Sequence, residues 1–415
     1  MPELGSDYTV ITGCRSCGAK DLVSIIEFGP MPLSDALFPP GQSREGEPRY
    51  PLSLVFCAVC SLVQIKETVR PETLFGEEYP YYSSFSPALV DHSRRNVSHL
   101  LEMLALDGTS LVVEIASNDG YLLQWFQKAG IPVLGIDPAP GPASTARERG
   151  IPTISEFFDL DLARRLAKEG QRADLIVGNN VLAHVPNQNE LIEAMGELLK
   201  PEGTIVMEFP YVRDLIEHGE FDTVYHEHHC YFSVASVQSL FARHELTLTS
   251  VQRLAIHGGS LRTFFSRKGP ADSSVSGILE EEERAGVHTY EFYEAFSERV
   301  QKRGDELVSL LEDLKADGSR IAAYGAAAKG AILLNYLGID GRFLDYVVDR
   351  NTHKHGWEMP GIPLPIAGPE RLLTEPVDYL LLLAWNFKEE IMSQQSEFAA
   401  RGGQFIVPMP RPMVV

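Results

Sequence analysis

From Leu111 onward, short apolar runs alternate with amphipathic stretches. Leu111-Val112-Val113-Glu114-Ile115 reads as a buried strand, Leu122 to Lys128 as a helix, and Val133-Leu134-Gly135-Ile136-Asp137 as a second strand. A short strand near Thr153-Ile154, a fourth at Leu175-Ile176-Val177, a helix from Glu190 to Leu199 and a fifth strand at Thr204–Glu208 continue the alternation. That βαβα order predicts a doubly wound parallel sheet, whose ligand lies over the carboxyl ends of the strands. A helical pattern from Ser93 to Leu106 precedes it, and a charge-rich amphipathic helix from about Ile278 to Asp317 follows. Arg320–Tyr324 then gives a strand, Gly325–Ala328 a small-residue turn, and Lys329 opens a helix. Strands at Phe343–Val348, Asp378–Ala384 and Gln404–Val407 predict a second doubly wound unit.

The chain has 415 residues, enough for two or three domains, and 44% hydrophobic content, enough for real cores. A formal net charge of −21, with no long basic run, argues against a nucleic-acid partner. No signal-like leader or bilayer-length apolar stretch is present, so a cytoplasmic protein with no membrane partner is expected. Oligomeric state is open.

Composition alone does not reveal the opening segment; cysteine spacing does. Cys14-x-x-Cys17 and Cys57-x-x-Cys60 are two tight turns that can aim four thiolates at one Zn²⁺. Disulfides are the poorer alternative in a reducing compartment. With four thiolates the shell is closed, so the zinc is expected to be structural. Cys230, remote in sequence, reads as a buried thiol.

The strand ends carry the candidate chemistry. Glu114-Ile115-Ala116-Ser117-Asn118-Asp119-Gly120 forms the first turn, and Asp137 ends the second strand, where a carboxylate can accept ribose hydroxyls. The G-x-G-x-x-G fingerprint is missing, and Asn118-Asp119 suits a sulfonium better than a pyrophosphate; both point to S-adenosylmethionine. After the fourth strand come Asn179, Asn180 and His184, then Tyr225-His226-Glu227-His228-His229-Cys230-Tyr231, the densest titratable cluster in the chain. Its H-E-H-H order lacks the zinc-binding H-E-x-x-H spacing, and an acid/base role fits it better. His257-Gly258-Gly259 allows close backbone approach to a ligand. Lys329 on its small-residue turn could hold phosphate. Arg350 and Asn386, at later strand ends, are candidates for nucleotide contacts.

Taken in order, these motifs resemble the sugar C-methyltransferases that act on dTDP-4-keto-deoxysugars in antibiotic and polysaccharide biosynthesis. They are the paired cysteines, the E-x-x-x-N-D-G turn, the Asn-to-His segment, Y-x-E-H, H-G-G-S, G-A-x-x-K-G and A-W-N. The resemblance implies an α/β chain in three parts: a zinc-binding domain (1–70), a Rossmann-like S-adenosylmethionine domain with a tyrosine-rich connector (71–272), and a second Rossmann-like domain (273–415). It implies structural zinc on Cys14, Cys17, Cys57 and Cys60. The cofactor is expected on Glu114, Ala116, Asn118, Asp119, Gly120, Asp137 and Asn179. Tyr225, Glu227, His228, His184 and Tyr79 are expected to line the sugar site, and Asn180, His257, Gly258, Lys329, Arg350 and Asn386 to contact the nucleotide sugar. Ala116 and Asp137 depart from the glycine and glutamate frequent in the family.

In this reading His228 takes a proton from the carbon beside the ketone, most simply carbon 3. Glu227 orients or charge-balances the imidazole, Tyr225 or Tyr79 donates to the ketone oxygen, and His184 is a further candidate for either role. The rival readings are an O- or N-methyltransferase on another small acceptor and a non-catalytic zinc-dependent binding protein.

Overall fold

A computed structural model of the chain describes residues 7–74 and 81–415. Val112–Ile115, Val133–Ile136, Thr153–Ile154, Ala173–Asn179 and Leu199–Pro210 form the parallel part of one sheet. Val112–Ile115 lies inside that sheet with all four residues buried, so its sequence shows no alternation. Strand order reverses between it and Ala173–Asn179, which opens a crevice above the carboxyl ends of these two strands. Two antiparallel strands not foreseen from the sequence, Thr247–Leu254 and Ser260–Ser266, extend the sheet beyond Leu199–Pro210.

A second sheet is built from Ile366–Ala367, Val347–Val348, Ile321–Tyr324, Tyr379–Leu382 and Gln404–Val407, all parallel, with Met413–Val414 antiparallel at its edge. The long helix expected between the sheets is interrupted. Ser273–Ala285 ends where Gly286 takes φ 77°, and Phe296–Ala316 starts after a short turn of helix. The break lets Val287 and Tyr293 enter the core, joined by a Tyr293 hydroxyl bond to the Val287 carbonyl (2.8 Å). Buried Glu282 ties the first helix to the central unit, accepting from the Val234 and Ala235 amides and the Tyr211 hydroxyl. The helix expected from Ser93 begins earlier, at Pro87, because Ser86 caps it.

Leu22–Met31, Tyr50–Cys57 and Val63–Ile65 make the small antiparallel sheet of the cysteine-bearing segment. Its fourth strand, Cys230–Tyr231, comes from the histidine-rich segment and pairs with Val63–Ile65. No helix among the described residues is long and apolar enough to cross a membrane.

Candidate active site and zinc centre

The ligand atoms of Cys14, Cys17, Cys57 and Cys60 all lie within 4.8 Å of one another. Two sulfur pairs, Cys14 with Cys60 and Cys17 with Cys57, are 3.6 Å apart. That is far beyond a disulfide bond of about 2.05 Å. It is close to the edge of about 3.8 Å expected for a tetrahedron of thiolates about 2.3 Å from Zn²⁺. Gly18 at φ 75° and Ser61 at φ 57° close the two knuckles, and Gln64 Nε2 donates to Cys14 Sγ at 3.2 Å. The thiolate set fits zinc. Arg15, between the first two cysteines, reaches the Pro186 carbonyl at 3.3 Å and so ties the knuckle to the loop after the fourth strand.

Between the two doubly wound units lies a cavity of about 560 Å³. On the central side it is lined by Ile115, Ala116, Asn118, Asp137, Asn179, Asn180 and His184. Asp137 is fixed by two backbone amides: Oδ2 accepts from Asn118 at 2.8 Å and Oδ1 from Ala139 at 2.9 Å. Burial pushes its carboxyl up to about 6. Each oxygen retains a lone pair for a ribose hydroxyl. Asn180 Oδ1 is buried with no partner in the protein. Ala116, Asn118, Asn180 and His257 all adopt left-handed backbone, with φ of 55°, 50°, 57° and 58°, so four cavity-lining residues hold strained conformations. An acid poised for hydroxyls and an unused amide oxygen are donor-matched to the nucleoside and amino-acid ends of S-adenosylmethionine.

Several expected contacts face elsewhere. Asp119 is fully buried outside the cavity lining, with Oδ2 bonded to Ser84 and 3.1 Å from Arg149, so it braces the connector. Asn118 spends its amide on the same connector, accepting from the Ser83 N–H and donating to the Tyr81 carbonyl. A Cβ on Gly120 would strike Ile151 at 2.9 Å, so that glycine serves packing. Glu114 lies buried outside the cavity lining, where burial and then Asp137 hold its carboxyl well above the ordinary range. Gly258 admits the protein's own Glu220 carboxylate, 2.4 Å from where its Cβ would stand, and not a ligand. Tyr79 lies outside the described residues.

The histidine-rich segment brings Tyr225, Glu227 and His228 to the cavity lining. His228 Nδ1 bonds the Thr223 carbonyl at 3.0 Å, and a carbonyl can only accept, so Nδ1 carries the proton and Nε2 the lone pair. The Tyr225 hydroxyl donates to Nε2 at 2.9 Å. Burial and then neighbouring His184 push His228 well below its ordinary value, keeping it neutral. The His184 ring lies edge-on at 4.7 Å, and burial pushes that imidazole down to about 4. Glu227 is not the group that orients His228; Thr223 is. Burial and then Asp35 push Glu227 up to about 8, which makes it a neutral carboxylic acid lining the cavity near neutral pH.

From the second sheet come Lys329, Arg350 and Asn386, and His257 meets Asn386 across the cavity at 3.5 Å. The Lys329 ammonium spends one of its donors on Thr223 Oγ1 at 2.5 Å and lies 4.7 Å above the Trp385 ring. Asp349 repeats the brace seen at Asp137, with Oδ2 accepting from Ala326 at 2.7 Å and Oδ1 from Asn351 at 2.7 Å. Residues missed from the sequence include Thr223, Asp35, Phe158 and Asp159. The last two lie in the loop after the third strand, and that position was a usable signal; nothing local marked Thr223 or Asp35.

The closed thiolate site, the crevice with its ribose-poised acid and the imidazole–phenol pair define an α/β methyltransferase with a zinc-bearing N-terminal segment. Family models agree in succession: "Putative zinc binding domain" over residues 14–75, "Methyltransferase domain" over 90–251 and "C-methyltransferase C-terminal domain" over 255–410. The C-methyltransferase NovU of Streptomyces niveus is 35% identical over 409 residues, 98% of this chain and 97% of its own. A ubiquinone biosynthesis O-methyltransferase of Bartonella tribocorum is 29% identical over 93 residues, 22% of this chain and 38% of its own. The solved magnesium protoporphyrin IX methyltransferase of Synechocystis PCC 6803 covers 44% of this chain and 82% of its own at 16% identity, with a TM-score of 0.33. The chain belongs to the C-methyltransferase family. It is an S-adenosylmethionine-dependent C-methyltransferase with a zinc-binding N-terminal segment.

Proposed function

We propose that the acceptor is a dTDP-linked 4-keto-deoxysugar, methylated on the carbon beside the ketone, carbon 3. The observation that carries this reading is the Tyr225–His228 pair facing a cavity shared by two nucleoside-type strand ends, Asp137 on one sheet and Asp349 on the other. Two such ends suit two nucleoside-bearing ligands, a methyl donor and a nucleotide sugar. Asp137, Ala116, Asn118 and Asn179 would hold the donor, which supplies an electrophilic methyl group when bound. Arg350, Asn386, His257 and Asn180 would hold the nucleotide sugar, with residues 273–415 as the nucleotide-sugar domain.

His228 Nε2 takes the proton from the sugar carbon. For that, the Tyr225 O–H must leave the single Nε2 lone pair, and it turns to the ketone oxygen, where charge develops as the proton moves. Neutral Glu227 adds a second O–H donor. His184 fills the space beside the imidazole and, with its own protonation suppressed by burial, does not compete for the proton. Two substrates held against each other remove much of the entropic barrier to carbon–carbon bond formation.

The test is incubation with labelled methyl donor and a dTDP-4-keto-deoxysugar in deuterated water. Label should enter carbon 3, and His228→Ala should abolish both methylation and exchange at that carbon. Methylation of an oxygen, or exchange at the normal rate in His228→Ala, refutes the assignment.

A further inference from the structure

The turn that orients His228 is held from the opposite domain. Thr223 ends the turn Phe221–Thr223; its carbonyl bonds His228 Nδ1 at 3.0 Å and its hydroxyl accepts from Lys329 at 2.5 Å. Lys329 belongs to the helix Ala328–Leu337 of the second sheet's unit. Its ammonium lies 4.7 Å over Trp385, whose indole N–H donates to Asp222 at 2.6 Å. Asp222 precedes Thr223 and is fully buried. Lys329 and Trp385 therefore grip Thr223 and Asp222, the last two residues of the turn behind the imidazole.

We propose that Lys329 and Thr223 are positioning residues for the base: together they fix the carbonyl that selects the Nδ1–H tautomer of His228, so the C-terminal domain completes the proton-abstracting site. This rests on His228 being the base. It gives Lys329 a task different from gripping phosphate. The groups around the imidazole are Tyr225, Tyr231, His184, His229 and, through Thr223, Lys329. Of these only Lys329 carries a standing positive charge, and that charge opposes protonation of His228. Removing it must let the imidazole bind a proton more readily.

The test uses full-length protein labelled with ¹⁵N-histidine, with Lys329→Met, Thr223→Val and Thr223→Ser. In wild type the His228 signals should report the Nδ1–H tautomer without any acceptor sugar. In Lys329→Met and Thr223→Val the tautomers should mix and the His228 titration should move upward. Turnover should fall roughly tenfold to a hundredfold in both, as expected for a misplaced base. KM for the nucleotide sugar should change by less than about threefold, since ground-state binding is untouched. Thr223→Ser, which keeps the hydroxyl, should restore wild-type behaviour. A KM rise of about tenfold or more with unchanged kcat and unchanged His228 signals would make Lys329 an anion ligand and overturn the proposal. So would a wild-type His228 in the other tautomer. Because the imidazole is read without an acceptor, a failure of the sugar assignment leaves this outcome separately visible.

Discussion

The phenol of Tyr225 donates to Nε2 of His228 across 2.9 Å, and the opposite nitrogen of the same ring is committed to the Thr223 carbonyl at 3.0 Å. One hydrogen bond defines the tautomer and the other marks the basic atom. That nitrogen has one lone pair, so it can take a proton from carbon only once the phenol has moved off it; in the proposed reaction the phenol moves to the ketone oxygen.

Tyr225→Phe keeps the imidazole and removes that donor. Methyl transfer and exchange at the sugar carbon should both fall about a hundredfold, the cost typical of losing one oxyanion donor. Exchange at the wild-type rate would show that the phenol does not serve the enolate.

Glu227 gives a pH signature. Its carboxyl is raised from 4.5 to about 8, so the folded protein holds a proton there that the unfolded chain has released. Its contribution to stability is full below about 4.5 and is lost as pH rises towards about 8. Glu227→Gln mimics the protonated acid, so its Tm should gain on wild type across that window, and it should keep most activity at pH 7 without wild type's decline near pH 8. Parallel Tm curves for the two proteins would contradict a buried neutral acid.

Zinc removal should reach the active site through the sheet. Structural thiolate sites contribute about 10–16 kcal/mol of binding energy that doubles as folding energy. Chelation should therefore raise hydrogen exchange in Val63–Ile65 and in its partner strand Cys230–Tyr231, with loss of turnover. Unchanged protection of residues 230–231 in zinc-free protein would separate the metal from the histidine segment.

Ala116 occupies φ 55°, a conformation that costs a residue with a Cβ about 1–2 kcal/mol. Ala116→Gly should stabilise the fold by roughly 0.5–1 kcal/mol in denaturant titration. A loss of stability would mean that the methyl group contributes more by packing than the backbone strain costs.

Much of this was legible along the chain. Val112–Ile115 and its parallel neighbours announced themselves because fully buried strands need unbroken apolar runs, and Cys14, Cys17, Cys57 and Cys60 did so because metal geometry fixes ligand spacing on a turn. Asp137 followed from its place at a strand end. The His228 cluster was visible as composition, though its wiring was not. Asp119 looked like a cofactor contact but braces Ser84, Asn118 lines the cavity while its amide braces Ser83, and Gly258 looked like a ligand approach but admits Glu220. Lys329 was visible as a cation on a small-residue turn, but its bond to Thr223 was not.

The amino-acid order determined the two doubly wound sheets, the thiolate site and the type of chemistry, because periodicity, knuckle spacing and strand-end position are local properties. Only the tertiary structure decided which nitrogen of His228 is basic, which carboxyl stays protonated, and that the strand Cys230–Tyr231, directly after the histidines, completes the zinc segment's sheet. Those outcomes depend on groups far apart in sequence, Thr223 with Lys329, Asp35 with Glu227 and Gln64 with Cys230, which meet only after the chain has folded.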